Sequence, residues 1–125
     1  MPAKTPEDVD RLFAECINAG DVEGVVALYE PAGVLLMEAS EPARGTAAIR
    51  AAIAQFAAVK PKLRMAIQKV VHGGGDVAVI YNDWTLTMTG PDGKTAEDRG
   101  KATEIVRRQA DGTWLFVVDD PRMRG

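Results

Sequence analysis

From Val77 to Thr89 the chain alternates, with Ala78, Ile80, Asn82, Trp84, Leu86 and Met88 in one set and Val77, Val79, Tyr81, Asp83, Thr85 and Thr87 in the other. A period of two, in a run rich in β-branched and aromatic residues, predicts a strand. Gly90-Pro91-Asp92-Gly93 and Asp111-Gly112 carry reversal signals, so Asp76 to Asp120 reads as three long strands joined by two hairpins. The first set is the more apolar and is expected to face inward, with Asn82 and Trp84 at a pocket. A slip of one residue would present Tyr81 and Asp83 instead.

Upstream the spacing becomes helical. Thr5 caps a helix with Pro6 at its first position, and Val9, Leu12, Phe13, Cys16 and Ile17 form one apolar stripe that stops at Gly20. Asp21 caps a second helix carrying Val22, Val25, Val26 and Tyr29, ended by Pro31. Gly33 to Glu38 is too short and apolar for a helix and reads as a strand, and Ser40 to Gly45 as a loop. Thr46 opens a third helix, with Ile49, Ala52, Ile53 and Phe56 on one face, halted before Pro61. Leu63 to His72 alternates again and turns through Gly73-Gly74-Gly75-Asp76. The order α-α-β-α-β-β-β-β predicts an α+β fold in which N-terminal helices lie across one face of a curved, mostly antiparallel sheet and leave a pocket between the layers.

Composition narrows the function. At 125 residues the chain reads as a single domain, 1–125, able to bury roughly two thirds of its unfolded surface. A net charge of -3 with scattered basic residues argues against nucleic acid. No apolar run has the length of a membrane span, and Met1-Pro2-Ala3-Lys4 leads into a capped helix rather than a signal peptide, so a cytoplasmic protein is expected. One cysteine and one histidine support neither a disulfide framework nor a conventional zinc site; no metal and no cofactor are expected. Cys16 lies on a buried stripe, His72 has no partner motif, and the Gly73-Gly74-Gly75 run joins two strands rather than opening a helix as a phosphate loop does.

Asn18-Ala19-Gly20-Asp21-Val22-Glu23-Gly24-Val25-Val26-Ala27-Leu28-Tyr29, then Ser40-Glu41-Pro42 and Gly45-Thr46-Ala47-Ala48-Ile49-Arg50, resembles the bacterial ketosteroid isomerase pattern. Together with the strand order and the Asp111-Gly112-x-Trp114 hairpin, these segments identify the chain as similar to the nuclear transport factor 2-like superfamily, which includes ketosteroid isomerases and SnoaL-like polyketide cyclases. The resemblance implies a cone-like, cystatin-like pocket and a homodimer formed through the open face of the sheet. It does not carry the isomerase chemistry across, because this fold hosts many functions. The tyrosine donor of those enzymes falls on Phe13, which has no hydroxyl. Their base falls on Met37 or Glu38, and their protonated aspartic acid, which an apolar site keeps neutral so that it can donate a hydrogen bond, falls on Glu104 or Thr103.

The candidate acid–base residues are therefore Glu104, Asp120 and Glu38. Asp120 continues the alternation Phe116, Val118, Asp120 and either points into the pocket or ends the strand in solvent before Pro121. Glu104 and Glu38 act as acids or bases if burial lifts their pKa values, and otherwise sit on an outward face. Phe13, Tyr29, Phe56, Asn82, Trp84 and Val118 are the candidate ligand-binding residues, with core packing as the alternative for Tyr29 and Trp84. Arg44 either gates the pocket or is a solvated loop residue. Two functions fit: a cofactor-independent isomerase, dehydratase or cyclase using a buried carboxylate on an apolar, carbonyl-bearing molecule, or a non-catalytic binding or dimerisation module. The expected partners are a small apolar molecule in the pocket and a second copy of the chain, on a sheet face that includes Ile105, Leu115 and Val117.

Overall fold

The computed structural model describes residues 2–38 and 40–122; Met1 of the opening run lies outside them. Helix α1 (Pro6–Ala19) begins where Thr5 Oγ1 accepts the amide of Asp8 at 3.2 Å. It ends at Gly20, whose φ of 72° is the left-handed conformation that glycine adopts without a side-chain penalty. Its C-terminus is fastened to the sheet by Asn18, which donates to the Leu63 carbonyl at 2.9 Å and accepts the Leu63 amide at 2.6 Å.

Helix α2 (Val22–Val26) is capped by Asp21, whose Oδ1 accepts the Gly24 amide at 2.9 Å. It is shorter than the spacing predicts. Tyr29 starts strand β1 (Tyr29–Leu35), because the Leu28 carbonyl is taken by the Phe116 amide at 2.7 Å and the tyrosine side chain is drawn into the core. Pro31 is tolerated in this strand since the β1 register is irregular between Tyr29 and Val34. The expected loop holds a two-residue strand β2 (Ala43–Arg44) paired with Val34 and Leu35, and Arg44 is exposed there. Helix α3 (Gly45–Ala57) follows and packs against β1.

Strands β3 (Lys62–His72), β4 (Val77–Thr89), β5 (Thr95–Arg108) and β6 (Trp114–Asp120) complete one six-stranded sheet of order β2-β1-β6-β5-β4-β3. All pairs are antiparallel except β1 with β6. The architecture is the expected α+β arrangement with one more strand. Register shifts in β3, between Ile67 and Lys69, and opposite β6, between Ile105 and Val106, insert extra residues of the kind that bend and twist a sheet.

The main core holds Val9, Leu12 and Ile17 of α1, Ile49 and Ile53 of α3, and Ile80, Val106 and Phe116 of the sheet. Phe116 is its centre, edge-on to Phe13 at 5.9 Å and tilted against Tyr29 at 4.9 Å between ring centroids. On β4 the first alternating set points inward, with Ala78, Ile80, Asn82, Trp84 and Leu86 all buried. Trp84, Leu86 and Ala102 form a second apolar group, flanked by Phe56, Leu63, Met65 and Met88.

Gly100 faces Trp84 across the β4–β5 ladder, and an added Cβ would stand 2.7 Å from Trp84 Cε2. The indole lies in space that any other residue would fill. Gly100→Ala is expected to displace it and to lower stability by about 1–3 kcal/mol, read as a lower urea midpoint.

Candidate functional site

A cavity of about 790 Å³ opens between the helices and the β4–β5–β6 part of the sheet. Its walls are mostly apolar: Phe13 from α1, Ile53 and Phe56 from α3, and Met65, Trp84 and Leu86 from the sheet. Glu104 and Asp119 are the buried polar residues on that wall, while Glu38, Asp98, Asp120 and Arg122 line its more exposed parts. A second, open concavity of about 650 Å³ on the sheet, lined by Lys62, Arg64, Thr85, Glu97 and Arg99 among others, contains no buried titratable group.

Behind the wall sits a polar cluster inside an apolar core. Asp10 is 1% exposed, Asn82 1%, Glu104 2% and Asp119 3%. Asn82 Nδ2 donates to Asp10 Oδ2 at 3.0 Å, joining α1 to β4, and Tyr29 Oη donates to Asp119 Oδ2 at 2.5 Å, joining β1 to β6. Asp10 and Glu104 are hydrogen-bonded to each other, which requires a proton on one of them. Apart from that carboxyl proton, Asp10 Oδ1, Asn82 Oδ1 and Glu104 Oε1 have no donor among the described residues.

Burial dominates the electrostatics of all three acids. Desolvation raises Glu104 well above the ordinary glutamate range, reinforced by its hydrogen bond to Asp10 and by the charges of Asp10 and Asp119. Asp10 is raised by desolvation, partly offset by its bonds to Glu104 and Asn82. Asp119 is pushed up to about 7 by desolvation, against the Tyr29 hydroxyl, which favours the ionised form. Tyr29 is in turn raised by burial and by the Asp119 charge, so it stays a hydrogen-bond donor at neutral pH.

Of the expected acid–base residues, Glu104 is buried on the wall. Its neighbour Thr103 pairs with Tyr81 on the opposite face, which leaves Glu104 as the inward residue of the two. Asp120 lines the cavity but is partly exposed, and its Oδ1 accepts the Arg122 amide at 3.2 Å. Glu38 lies beyond the end of β1, exposed at the cavity and paired with Arg122 at 2.7 Å; Met37 is 37% exposed. The expected alternation Phe116, Val118, Asp120 is interrupted. The extra residue in β6 turns Phe116 and Asp119 inward and sets Val118 opposite Ile105, away from the cavity.

Phe13, Phe56 and Trp84 are on the wall. Asn82 and Tyr29 lie behind it and act on the acids rather than touching the cavity. Trp84 Nε1 donates to the Pro121 carbonyl at 2.7 Å, and the Arg122 guanidinium lies 5.2 Å from the centre of its ring. Arg122 also bonds to Asp98. Asp10, Asp119, Asp98 and Arg122 are not among the expected site residues. Asp10 had a signal, since it stands three and seven residues before Phe13 and Ile17 on the edge of the α1 stripe; Asp119 had none, because an inserted residue cannot be read from alternation.

Raised acid pKa values couple folding to pH. An acid that binds its proton more tightly when folded is protonated in the native chain but ionised in the unfolded one between its ordinary value and its raised value. Stability therefore falls as pH rises from about 4 through the native value of about 7 for Asp119, and Asp10 and Glu104 add in the same direction. The expected outcome is a higher melting temperature near pH 5 than near pH 8. Tyr29→Phe should raise the Asp119 titration further, followed by carbon-detected NMR of its carboxyl group; an unmoved titration would separate the two residues.

Residues 9–124 match the profile of the SnoaL-like domain. No curated protein matches the chain significantly. Among solved structures it is similar to a ketosteroid isomerase-like protein from Erwinia carotovora atroseptica (20% identity, 90% of this chain and 88% of that one, TM-score 0.81). It is also similar to a nuclear transport factor 2-like protein with a cystatin-like fold from Novosphingobium aromaticivorans (19%, 90% and 75%, TM-score 0.75). A third, from Streptomyces avermitilis, is described as a proposed dehydratase of the nuclear transport factor 2-like family (19%, 89% and 88%, TM-score 0.73). At these identities the structures establish the fold, and the match over residues 9–124 establishes the family: the chain belongs to the SnoaL-like domain family.

Proposed function

We propose that the chain, working as one domain over residues 1–125, binds a small, largely apolar molecule in the cavity and exchanges a proton with it through Asp119. The observation that carries this reading is the placement of two acids, Asp119 and Glu104, on the wall of an otherwise apolar cavity. A carboxyl group with a pKa of about 7 is divided between its two forms at neutral pH, which suits both removal and return of a proton. Tyr29 holds the Asp119 carboxyl from behind and favours its ionised form. Glu104 remains a neutral acid beside it, able to hold a polar group of the bound molecule.

The reaction class consistent with this pair is a cofactor-independent isomerisation, dehydration or cyclisation. The names of the Erwinia and Streptomyces structures lean the same way. A non-catalytic binding module is the second reading, favoured by one observation: Phe13 supplies no hydroxyl donor where the isomerase pattern has tyrosine. The steroid isomerase mechanism itself does not fit, since losing one preorganised oxyanion donor typically costs about 10²- to 10³-fold.

A homodimer through the open face of the sheet belongs to the same proposal. Val71, Val79, Ile105 and Val118 follow one another across β3, β4, β5 and β6 on the side away from the helices, with Tyr81 beside them 37% exposed. No helix among the described residues covers that row, and none is long and apolar enough to cross a membrane. A dimer burying about 1,200–2,000 Å² in total would cover it.

Two measurements test these readings. The neutral fluorophore N-phenylnaphthylamine is expected to bind one molecule per chain, and Trp84→Ala, which removes a wall, to weaken it about tenfold; absence of binding to the unmodified protein would remove the apolar-pocket reading. Light scattering at micromolar concentration should give twice the chain mass, with Tyr81→Glu shifting it toward the monomer, and a monomeric mass for the unmodified chain counts against the dimer.

A further inference from the structure

The buried cluster is short of hydrogens. Tyr29 offers one O–H, Asn82 two N–H and the Asp10–Glu104 pair the one carboxyl proton between them, against two oxygens on each of Asp10, Glu104 and Asp119 and the amide oxygen of Asn82. The tyrosine hydrogen goes to Asp119 Oδ2, an amide hydrogen to Asp10 Oδ2 and the carboxyl proton lies between Asp10 and Glu104, so that Asp10 Oδ1, Asn82 Oδ1 and Glu104 Oε1 have no amide or hydroxyl donor outside that pair among the described residues. Only Glu104 and Asp119 of this cluster stand on the cavity wall, so with the Glu104 proton turned to Asp10 and Asp119 ionised a bound molecule meets acceptors there.

The more exposed lining has the same sign. Among the described residues, Glu38, Asp98 and Asp120 line the cavity against a single basic residue, Arg122. That guanidinium is already engaged, by Glu38 at 2.7 Å, by Asp98 and by the face of Trp84. It offers little to a ligand anion, and three aromatic rings, Phe13, Phe56 and Trp84, line the same space.

We infer that the cavity takes a protonated amine on an apolar body, with the ammonium against Glu104 and Asp119 and the body against Phe13, Phe56 and Trp84. The inference rests on the reading that the cavity holds a small apolar molecule, and specifies that molecule's polar end. An ammonium brings three donors and the positive charge that the buried acids lack, whereas a ketone brings only another acceptor and a carboxylate a like charge. The aromatic walls add apolar surface for the body of the amine.

Proton linkage follows. The groups facing Asp119 are Tyr29 from β1, Asp10 from α1, Glu104 from β5 and Asp120 beside it, with Glu38, Asp98 and Arg122 around the cavity. An ammonium pairs with ionised Asp119, so below a pH of about 7 binding must first expel the Asp119 proton. Amine affinity therefore rises with pH up to that value and then levels off.

The test is isothermal titration with four compounds sharing one apolar body: phenylbutylamine, phenylbutanol, benzylacetone and phenylbutyrate. The amine is expected to bind about tenfold tighter than the alcohol at neutral pH, with the ketone weaker and the carboxylate weakest, and to lose its advantage near pH 5. Asp119→Asn, which keeps the shape and can still accept from Tyr29, should bind the alcohol and lose the preference for the amine. Binding of the series without an amine preference, or a preference that survives in Asp119→Asn, overturns this inference and leaves the apolar-pocket reading standing. No binding by any of the four compounds overturns both.

Discussion

Three carboxyl groups, Asp10, Glu104 and Asp119, are buried without a salt bridge among the described residues, and much of the structure depends on how that cost is met. An isolated ionised carboxylate in an apolar interior is strongly unfavourable, and the available remedies are a partner charge, hydrogen-bond donors or protonation. Here two donors and retained protons serve. Each donor comes from a different element than the acid it serves, so the cluster links α1 to β4 and β1 to β6. Apolar residues of similar size would hold those elements together at no smaller stability, since buried ionic groups are weak stabilisers against hydrophobic replacements. The presence of acids where leucine or methionine would serve is itself an argument for chemistry at the cavity.

The irregularity in β6 decides which of its acids is buried on the cavity wall. A regular strand in register with β5 would keep Phe116, Val118 and Asp120 on one side and leave Asp119 on the open face. The extra residue lets Phe116 fill the core and then turns Asp119 inward, within reach of Tyr29. Tyr29 is there because α2 ends early and β1 runs parallel to β6, with Tyr29 opposite Phe116. The short helix, the parallel pairing and the inserted residue thus act together to produce one hydrogen bond between a phenol and an aspartic acid.

Most of the fold was legible in the sequence, for reasons that can be assigned. Thr5, Gly20 and Asp21 act through local backbone chemistry, and the β4 alternation acts through one-sided burial, so both kinds of signal are written in neighbouring residues. The junction at Tyr29 was not legible, because Val22, Val25 and Tyr29 also fit a helical stripe and only the distant contact with Phe116 makes Tyr29 a strand residue. The site was legible in part. Phe13, Phe56 and Trp84 follow from periodicity and stand on the wall, and Glu104 was reached through the resemblance, which left it open against Thr103. Asp119 could not be reached in this way, since a single inserted residue shifts the phase of everything after it.

The cavity exists because β5 carries small residues where its neighbour carries large ones. Gly100 stands opposite Trp84 and Ala102 opposite Asn82, so the inner face of β5 has almost no side chain of its own between Asp98 and Glu104. The indole lies across that gap, fixed by its bond to the Pro121 carbonyl and overlaid by Arg122. Arg122 is tied in turn to Glu38 and Asp98, which belong to segments far apart in the chain. The partly exposed lining is therefore held by an ionic bridge in contact with water, while the buried acids are held by phenol and amide donors away from it. Charges near solvent are screened and exchange partners at little cost, whereas those in the interior respond to every proton gained or lost. On the proposed reading, a molecule entering between the two meets an adjustable rim first and a proton-sensitive wall last, so that shape is selected at the entrance and the polar group at the end.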